Sequence, residues 1–267
     1  MKTFETLPDA PRTGRLKKTI LWVVLALVLI WSFTGMPLLA IKDNALEVAG
    51  AMFTGLIHPD WAYVWTGDGE DLVSTLLQTI AIAFIGTFIS AVISLPFAFW
   101  AANTKHKNWL ISRSGKIILT AIRTFPEIVL ALMFIKAVGP GAFAGVLAVG
   151  VHSVGMLAKL FSEAIENMDG GAGESVTAAG GNRLDVTMLA SFPQLLPEFV
   201  SNTLYRFELA IRSASILGII GAGGIGTPLI FAISARAWNR VGIILLGIIL
   251  MVTLVDFISG AVRKRLV

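Results

Sequence analysis

At 267 residues, 55% of them hydrophobic and only 14% charged, the chain is far too apolar for a soluble domain and defines an integral membrane protein. It has no cysteine, which excludes disulfides and thiolate metal sites, and His58, His106 and His152 show no ligand spacing. The net charge of +4 fits basic loops beside a membrane; without a basic stripe carrying interleaved aromatics, it does not point to nucleic acid.

Residues 1–19 read as a polar cytoplasmic tail ending in the basic group Arg12, Arg15, Lys17 and Lys18. The apolar run 20–41, about 22 residues rising about 1.5 Å each, spans a bilayer core and lacks a small-residue cleavage site, so it predicts an uncleaved first transmembrane helix. From Lys42 to Asp71 the chain turns acidic around Trp61, Tyr63 and Trp65. This predicts an external loop with an interfacial aromatic belt, in which residues 45–56 lie along the surface. Residues 20–71 thus form one region and 72–267 a core transmembrane domain.

Within that core, a second span over 72–101 ends at the basic group Lys105, Lys107, Arg113 and Lys116. The third, 117–138, contains Arg123, Pro126, Glu127 and Lys136, and Pro126 is expected to kink it. A fourth follows Gly139-Pro140-Gly141 over 142–160, a fifth covers 199–220 and a sixth 241–262. Six spans put both termini on one side. Thirteen Lys and Arg fall on that side and four on the other, which predicts that this side, with both termini, is cytoplasmic.

Residues 163–197 lie between the fourth and fifth spans, and roughly 35 residues is too long for a structureless connection. Gly170, Gly171 and Gly173 break the preceding helix, and Glu174 falls in a new first turn, where the helix dipole favours a carboxylate. That helix runs to about Ala179 before Gly180 and Gly181 stop it. Asn182 can cap the next, with Asp185 three positions on, and Pro193 and Pro197 are expected to limit how far it continues. Two short helices around a glycine turn are predicted.

Glu174, Gly180 six residues later, and the pair Phe192-Pro193 resemble the EAA loop of ABC importer permeases. Ser175 and Val176 stand where that pattern has alanines, Ala190 where it has isoleucine and Phe192 where it has leucine. The resemblance implies a coupling helix that docks on a cytoplasmic ATPase, with Glu174, Gly180, Arg183 and Pro193 as the coupling residues.

G-x-G-x-x-G occurs at residues 221–226, but after a transmembrane helix rather than a strand. It is therefore read as a closely packed turn at the outer end of the fifth span. No Walker lysine motif occurs, so ATP-driven work requires a partner. Charges inside spans are costly and are functional candidates. Arg123 and Glu127, and likewise Glu208 and Arg212, are spaced i, i+4, so each pair is expected to meet on one helix face. Arg206 has no partner at helical spacing and is read either as lining an anion path or as snorkelling toward the cytoplasm.

R-T-F-P-E at 123–127 and T-L-Y-R-F-E-L-A-I-R-S-A-S-I-L-G-I-I-G-A-G-G-I-G at 203–226 are similar to the permease subunit of phosphonate-type ABC importers, and the similarity runs from about residue 70 to the C terminus. It implies an all-α, type I importer permease with six transmembrane helices and a cytoplasmic coupling helix, working as a homodimer. The pore would open between third, fourth and fifth spans. The expected partners are two cytoplasmic ATPase subunits, which bind the ATP and Mg, and an extracellular binding protein delivering phosphonate or a related phosphorus oxyanion. The chain itself is expected to hold no cofactor. Rival readings are a permease for methionine or another small solute, and a secondary transporter, which would show internal repeats with broken helices. A membrane-embedded enzyme is disfavoured by the absence of a metal cluster or nucleophile-base spacing.

Overall fold

The structure is a computed structural model that describes residues 13–34, 45–104 and 108–266, without the side chains of residues 13–16, 183 and 266. The sequence readings at residues 1–12, at 35–44, which hold the end of the first span and Lys42, and at Lys105 and Lys107 fall outside it. All regular structure among the described residues is helical.

The chain divides into two units, Met1–Gly50 and Ala51–Val267. The first contains the apolar helix α1 (Thr13–Thr34) and the start of α2 (Ala45–Ile57). The second holds the rest of α2, a 3-10 turn (Trp61–Val64), α3 (Leu72–Ala101), α4 (Trp109–Thr124), α5 (Glu127–Val138) and α6 (Ala142–Asn167). After these come α7 (Gly171–Ala178), α8 (Arg183–Asp185), a π-helical segment (Val186–Ser191), α9 (Phe192–Leu217), α10 (Gly226–Ser234) and α11 (Trp238–Leu266).

Helices α3 and α6 pack along their lengths through small residues, which is how helices approach closely where lipid supplies no hydrophobic drive. Ser90 Oγ donates to the Gly150 carbonyl at 2.7 Å and Ser94 Oγ to that of Val154 at 3.2 Å. A Cβ at Gly86 would stand 2.9 Å from Val149 Cγ1. Ala210, Ile211 and Ala214 of α9 and Met251 and Val255 of α11 complete this cluster. At one end Tyr63, Leu72, Ile225, Leu229 and Ile244 form a second cluster, where Tyr63 donates to the Glu70 carbonyl at 2.7 Å beneath the Arg240 guanidinium. At the other end Ala98, Leu157, Phe161 and Leu195 form a third. Asp71 caps α3 by accepting from the Ser74 N–H at 2.8 Å and the Ser74 hydroxyl at 2.5 Å. These bonds hold its carboxyl below the usual carboxylate range.

Four helices are long and apolar enough to cross a membrane, α1, α3, α6 and α11, and α4 with α5 makes a fifth if the bent pair is one span. The expected third span is broken. It starts at Trp109 rather than 117 and bends by 77° between α4 and α5. Pro126 has no N–H to continue the helix and disfavours αR at Phe125, which is extended at φ −68°, ψ 125°. The fifth differs more. Helical structure runs continuously from Arg183 to Leu217, through both Pro193 and Pro197. A π-helical register accommodates the first proline: the Phe192 N–H bonds to the Thr187 carbonyl, and Gln194 Nε2 donates to that of Ala190 at 3.1 Å. With Glu198, Arg206, Glu208 and Arg212 along it, α9 is not among the helices apolar enough to span on composition alone.

Candidate functional site

Two features occupy opposite parts of α6 and α9: an exposed loop helix between them, and a buried set of charges further along both.

The loop is built by capping. The Asp169 carboxylate accepts the Gly171 N–H at 3.0 Å to open α7, and Glu174 lies exposed in its first turn. At the other end the Gly180 N–H bonds to the Thr177 carbonyl and that of Gly181 to the Val176 carbonyl, a Schellman motif with Gly180 at φ 89°. The following helix opens on the predicted reciprocal cap. Asn182 Oδ1 accepts from Leu184 and Asp185 at 2.8 and 3.1 Å, while the Asp185 carboxylate accepts the Asn182 N–H at 2.8 Å. Glu174 borders a cleft of about 770 Å³ lined also by Asn103, Glu166, Asp169 and Gln194. Pro193 lies inside the long helix, so it does not end the loop as expected. The side chain of Arg183 is outside the described set. Sequence reading missed one feature here, an exposed apolar row of Leu184, Met188, Leu189 and Phe192 beside α7. Its i, i+4, i+8 spacing becomes legible once the helix is known to run through the prolines.

The charges pair between helices, not along them. Arg206 is 3% exposed; its Nε donates to Ser153 Oγ on α6 at 2.8 Å, and its Nη2 reaches both Glu127 oxygens at 3.4 Å. Glu127 is the first residue of α5, at the positive end of the helix dipole. Both expected i, i+4 pairs are therefore corrected. Arg123 lies in the last turn of α4 and is exposed, and the 77° bend carries Glu127 onto another axis, where Arg206 takes it. Glu208 accepts from Arg263, and Arg212 Nη2 donates to Asp256 Oδ2 at 2.5 Å, so both reach across to α11. Arg206 does not snorkel. Asp256 and Arg263 went unpredicted, although a lone aspartate in an apolar span with an arginine seven residues on was a usable signal.

The turn after α9 is packed as expected. Gly221, Gly223 and Gly224 have φ of 96°, 81° and 77°. Gln78 Oε1 accepts the Gly224 N–H and Thr79 Oγ1 the Ile225 N–H, each at 2.8 Å. The turn abuts Gln78 and Thr79, about two turns along α3 from its start, and leads into α10, which was not predicted. Among the described residues no group of three or more His, Asp or Glu is placed to hold a metal ion.

Apolar helices with charges paired across the bundle, and a capped, exposed helix between two of them, define a helical integral membrane protein. Residues 94–267 match the family described as binding-protein-dependent transport system inner membrane component, and the chain belongs to that family. It is 41% identical over 193 residues to the phosphite transport system permease protein PtxC of Stutzerimonas stutzeri, spanning 72% of this chain and 70% of that one. It is 32% identical over 266 residues to the phosphate-import permease protein PhnE of Mycolicibacterium smegmatis, spanning 98% of this chain but 49% of that relative. The fold resembles a chain of the inward-facing MetNI methionine ABC transporter, with a TM-score of 0.65 at 20% identity over 73% of this chain and 96% of that one. Membership in an ABC importer permease family replaces the secondary-transporter reading.

Proposed function

We propose that the chain is the permease subunit of an ATP-driven importer for a phosphorus oxyanion such as phosphite, phosphonate or phosphate. Two copies line the path, two cytoplasmic ATPase subunits hold ATP and Mg, and an extracellular binding protein supplies the cargo. The observation that carries this reading is the 41% identity to a phosphite permease.

The geometry supplies a route for coupling. The loop that presents α7 joins α6 to the helix containing α9, and those two helices also carry Ser153 and Arg206. Ser153 lies 14 residues before the last residue of α6 (167 − 153) and Arg206 14 after the first of α9 (206 − 192), about 21 Å along each axis at 1.5 Å per residue. A displacement of α7 by the ATPase therefore reaches the contact that holds Glu127 at the break. Arg206, Arg212 and Arg263 are neutralised by carboxylates within the chain, so these three offer the anion no bare trap, and selection rests with the binding protein.

The test is uptake into proteoliposomes containing the permease and its ATPase, with the binding protein outside. ATP-dependent accumulation of at least one phosphorus oxyanion is expected. Uptake of methionine or another solute, with none of the oxyanions carried, overturns the substrate assignment, and uptake without ATP overturns the mechanism. Single cysteines at Asn103 and Asn182 should react with impermeant thiol reagents from the cytoplasmic side alone, and one at Asp68 from outside alone.

A further inference from the structure

From Leu72 to Pro126 the chain contains no Asp or Glu, but it contains Lys105, Lys107, Arg113, Lys116 and Arg123. The structure gives part of this charge a defined place. Helix α4 is anchored by a narrow face: the Ser112 hydroxyl donates to the Ala102 carbonyl at 2.9 Å, a Cβ at Gly115 would lie 2.9 Å from Ala101 Cα, and Leu119 is buried with Ala101 and Ala158. The rest of α4 is uncovered. Leu110, Ile111, Ile117 and Ile118 are exposed, and Trp109, Arg113 and Lys116, at i, i+4, i+7, share another face.

On that face a cavity of about 280 Å³ is lined by Asn103, Trp109, Ser112, Arg113 and Lys116. The Arg113 guanidinium lies over the Trp109 ring at 4.5 Å, which holds the tryptophan beside the cation. Lys116 is engaged by Glu166 at 2.7 Å, leaving Arg113 as the cation without a carboxylate partner among the described lining residues. The size falls just below the range of small-molecule pockets, about 300 Å³ and upward, and suits a headgroup rather than a whole lipid. The start of α4, with an exposed apolar face, a basic face and a tryptophan as its first residue, has the features of a segment at the membrane interface.

We propose that the start of α4 stands in the membrane interface, with the rest of α4 and α5 crossing as one bent span, and that the cavity beside Trp109 and Arg113 seats the headgroup of an anionic phospholipid. The apolar face enters the acyl layer, and Arg113 pairs with the lipid phosphate while Asn103 and Ser112 border the glycerol.

The experiment places the full-length protein in vesicles containing brominated phosphatidylglycerol or brominated phosphatidylcholine. Trp109 quenching is read as the difference between wild type and Trp109→Phe, since the chain has seven tryptophans. Wild type should be quenched more by phosphatidylglycerol. Arg113→Gln should lower that preference about five-fold, the effect of one basic side chain at an anionic surface, and Arg113→Lys should retain most of it. Salt should collapse the wild-type preference by screening, a readout that needs no variant. Equal quenching by the two lipids, or a preference unchanged in Arg113→Gln, overturns the headgroup site. Quenching by neither lipid overturns the proposal in favour of a protein partner, such as a second copy, covering this face. None of these outcomes depends on which solute is carried.

Discussion

The turn that follows α9 and the turn that follows α7 both rely on glycines at positive φ, yet their surroundings are opposite. A Cβ at Gly224 would lie 2.6 Å from Thr79 Oγ1, and one at Gly218 would lie 2.6 Å from the Gly223 carbonyl oxygen and 2.7 Å from Gly226 Cα. At Gly180, φ 89°, nothing lies within 4 Å. The charges follow the same division. Along α9, the helix that leads into the packed turn, Arg206, Glu208 and Arg212 are matched by Glu127, Arg263 and Asp256; on the loop, Glu174 is exposed at an open cleft beside an uncovered apolar row. One region is matched within the chain, and the other leaves charged and apolar side chains exposed; under the proposed function that exposed surface is where the ATPase docks. Loss in the first should therefore appear as lost folding, and loss in the second as lost coupling.

The largest expected effect is on the buried pair. Arg206→Gln or Glu127→Gln leaves one charge stranded and should cost about 3–5 kcal/mol, whereas the double substitution should cost much less. Monodisperse yield and thermal stability in detergent measure this, and two well-folded single variants would remove Arg206 from the self-contained region. Next come the packed glycines. Gly218→Val must move backbone, and Gly224→Val must displace the Thr79 hydroxyl that holds the Ile225 N–H while straining a backbone at φ 77°; each should cost about 1–3 kcal/mol or more. Wild-type stability in both would show that the turn yields easily.

A double-mutant cycle sharpens the charge assignment. Glu208 and Arg263 should couple by about 0.5–3 kcal/mol, while Glu208 and Arg212 should be additive within about 0.5 kcal/mol; the reverse result would restore pairing along α9. Gly180→Val breaks the comparison from the other side. The strained backbone should cost about 1–2 kcal/mol, leaving the protein inserted and stable while ATP-coupled uptake falls. A variant that transports normally would reduce the loop to a connector.

The smallest effect is on pH. The folded-state pKa of Asp71 is lowered, chiefly by the Ser74 side-chain bond, so the cap stabilises the protein above the ordinary carboxylate range. That stability should fade as pH drops through the folded value. Asp71→Asn should flatten this acid limb of the melting temperature, and an unchanged limb would assign it to other carboxylates.

The sequence by itself determined a great deal that is local. Composition established a membrane protein, and apolar length placed α3 at its observed bounds. Gly180, Asn182 and Asp185 announced their caps because capping uses neighbours in the chain, and Pro126 announced the break because a missing N–H acts on its own helix. Tertiary structure decided the rest. Pairing the charges within each helix failed because a carboxylate and a guanidinium excluded from water settle on the partner that leaves neither stranded, and for Glu127, Glu208 and Arg212 that partner stood on another helix. Pro193 and Pro197 failed to stop α9 because a π-helical register and the packing of Leu195 against Phe161 outweigh two missing hydrogen bonds. Which helices lie side by side is a property of the assembled bundle, and no spacing along the chain encodes it.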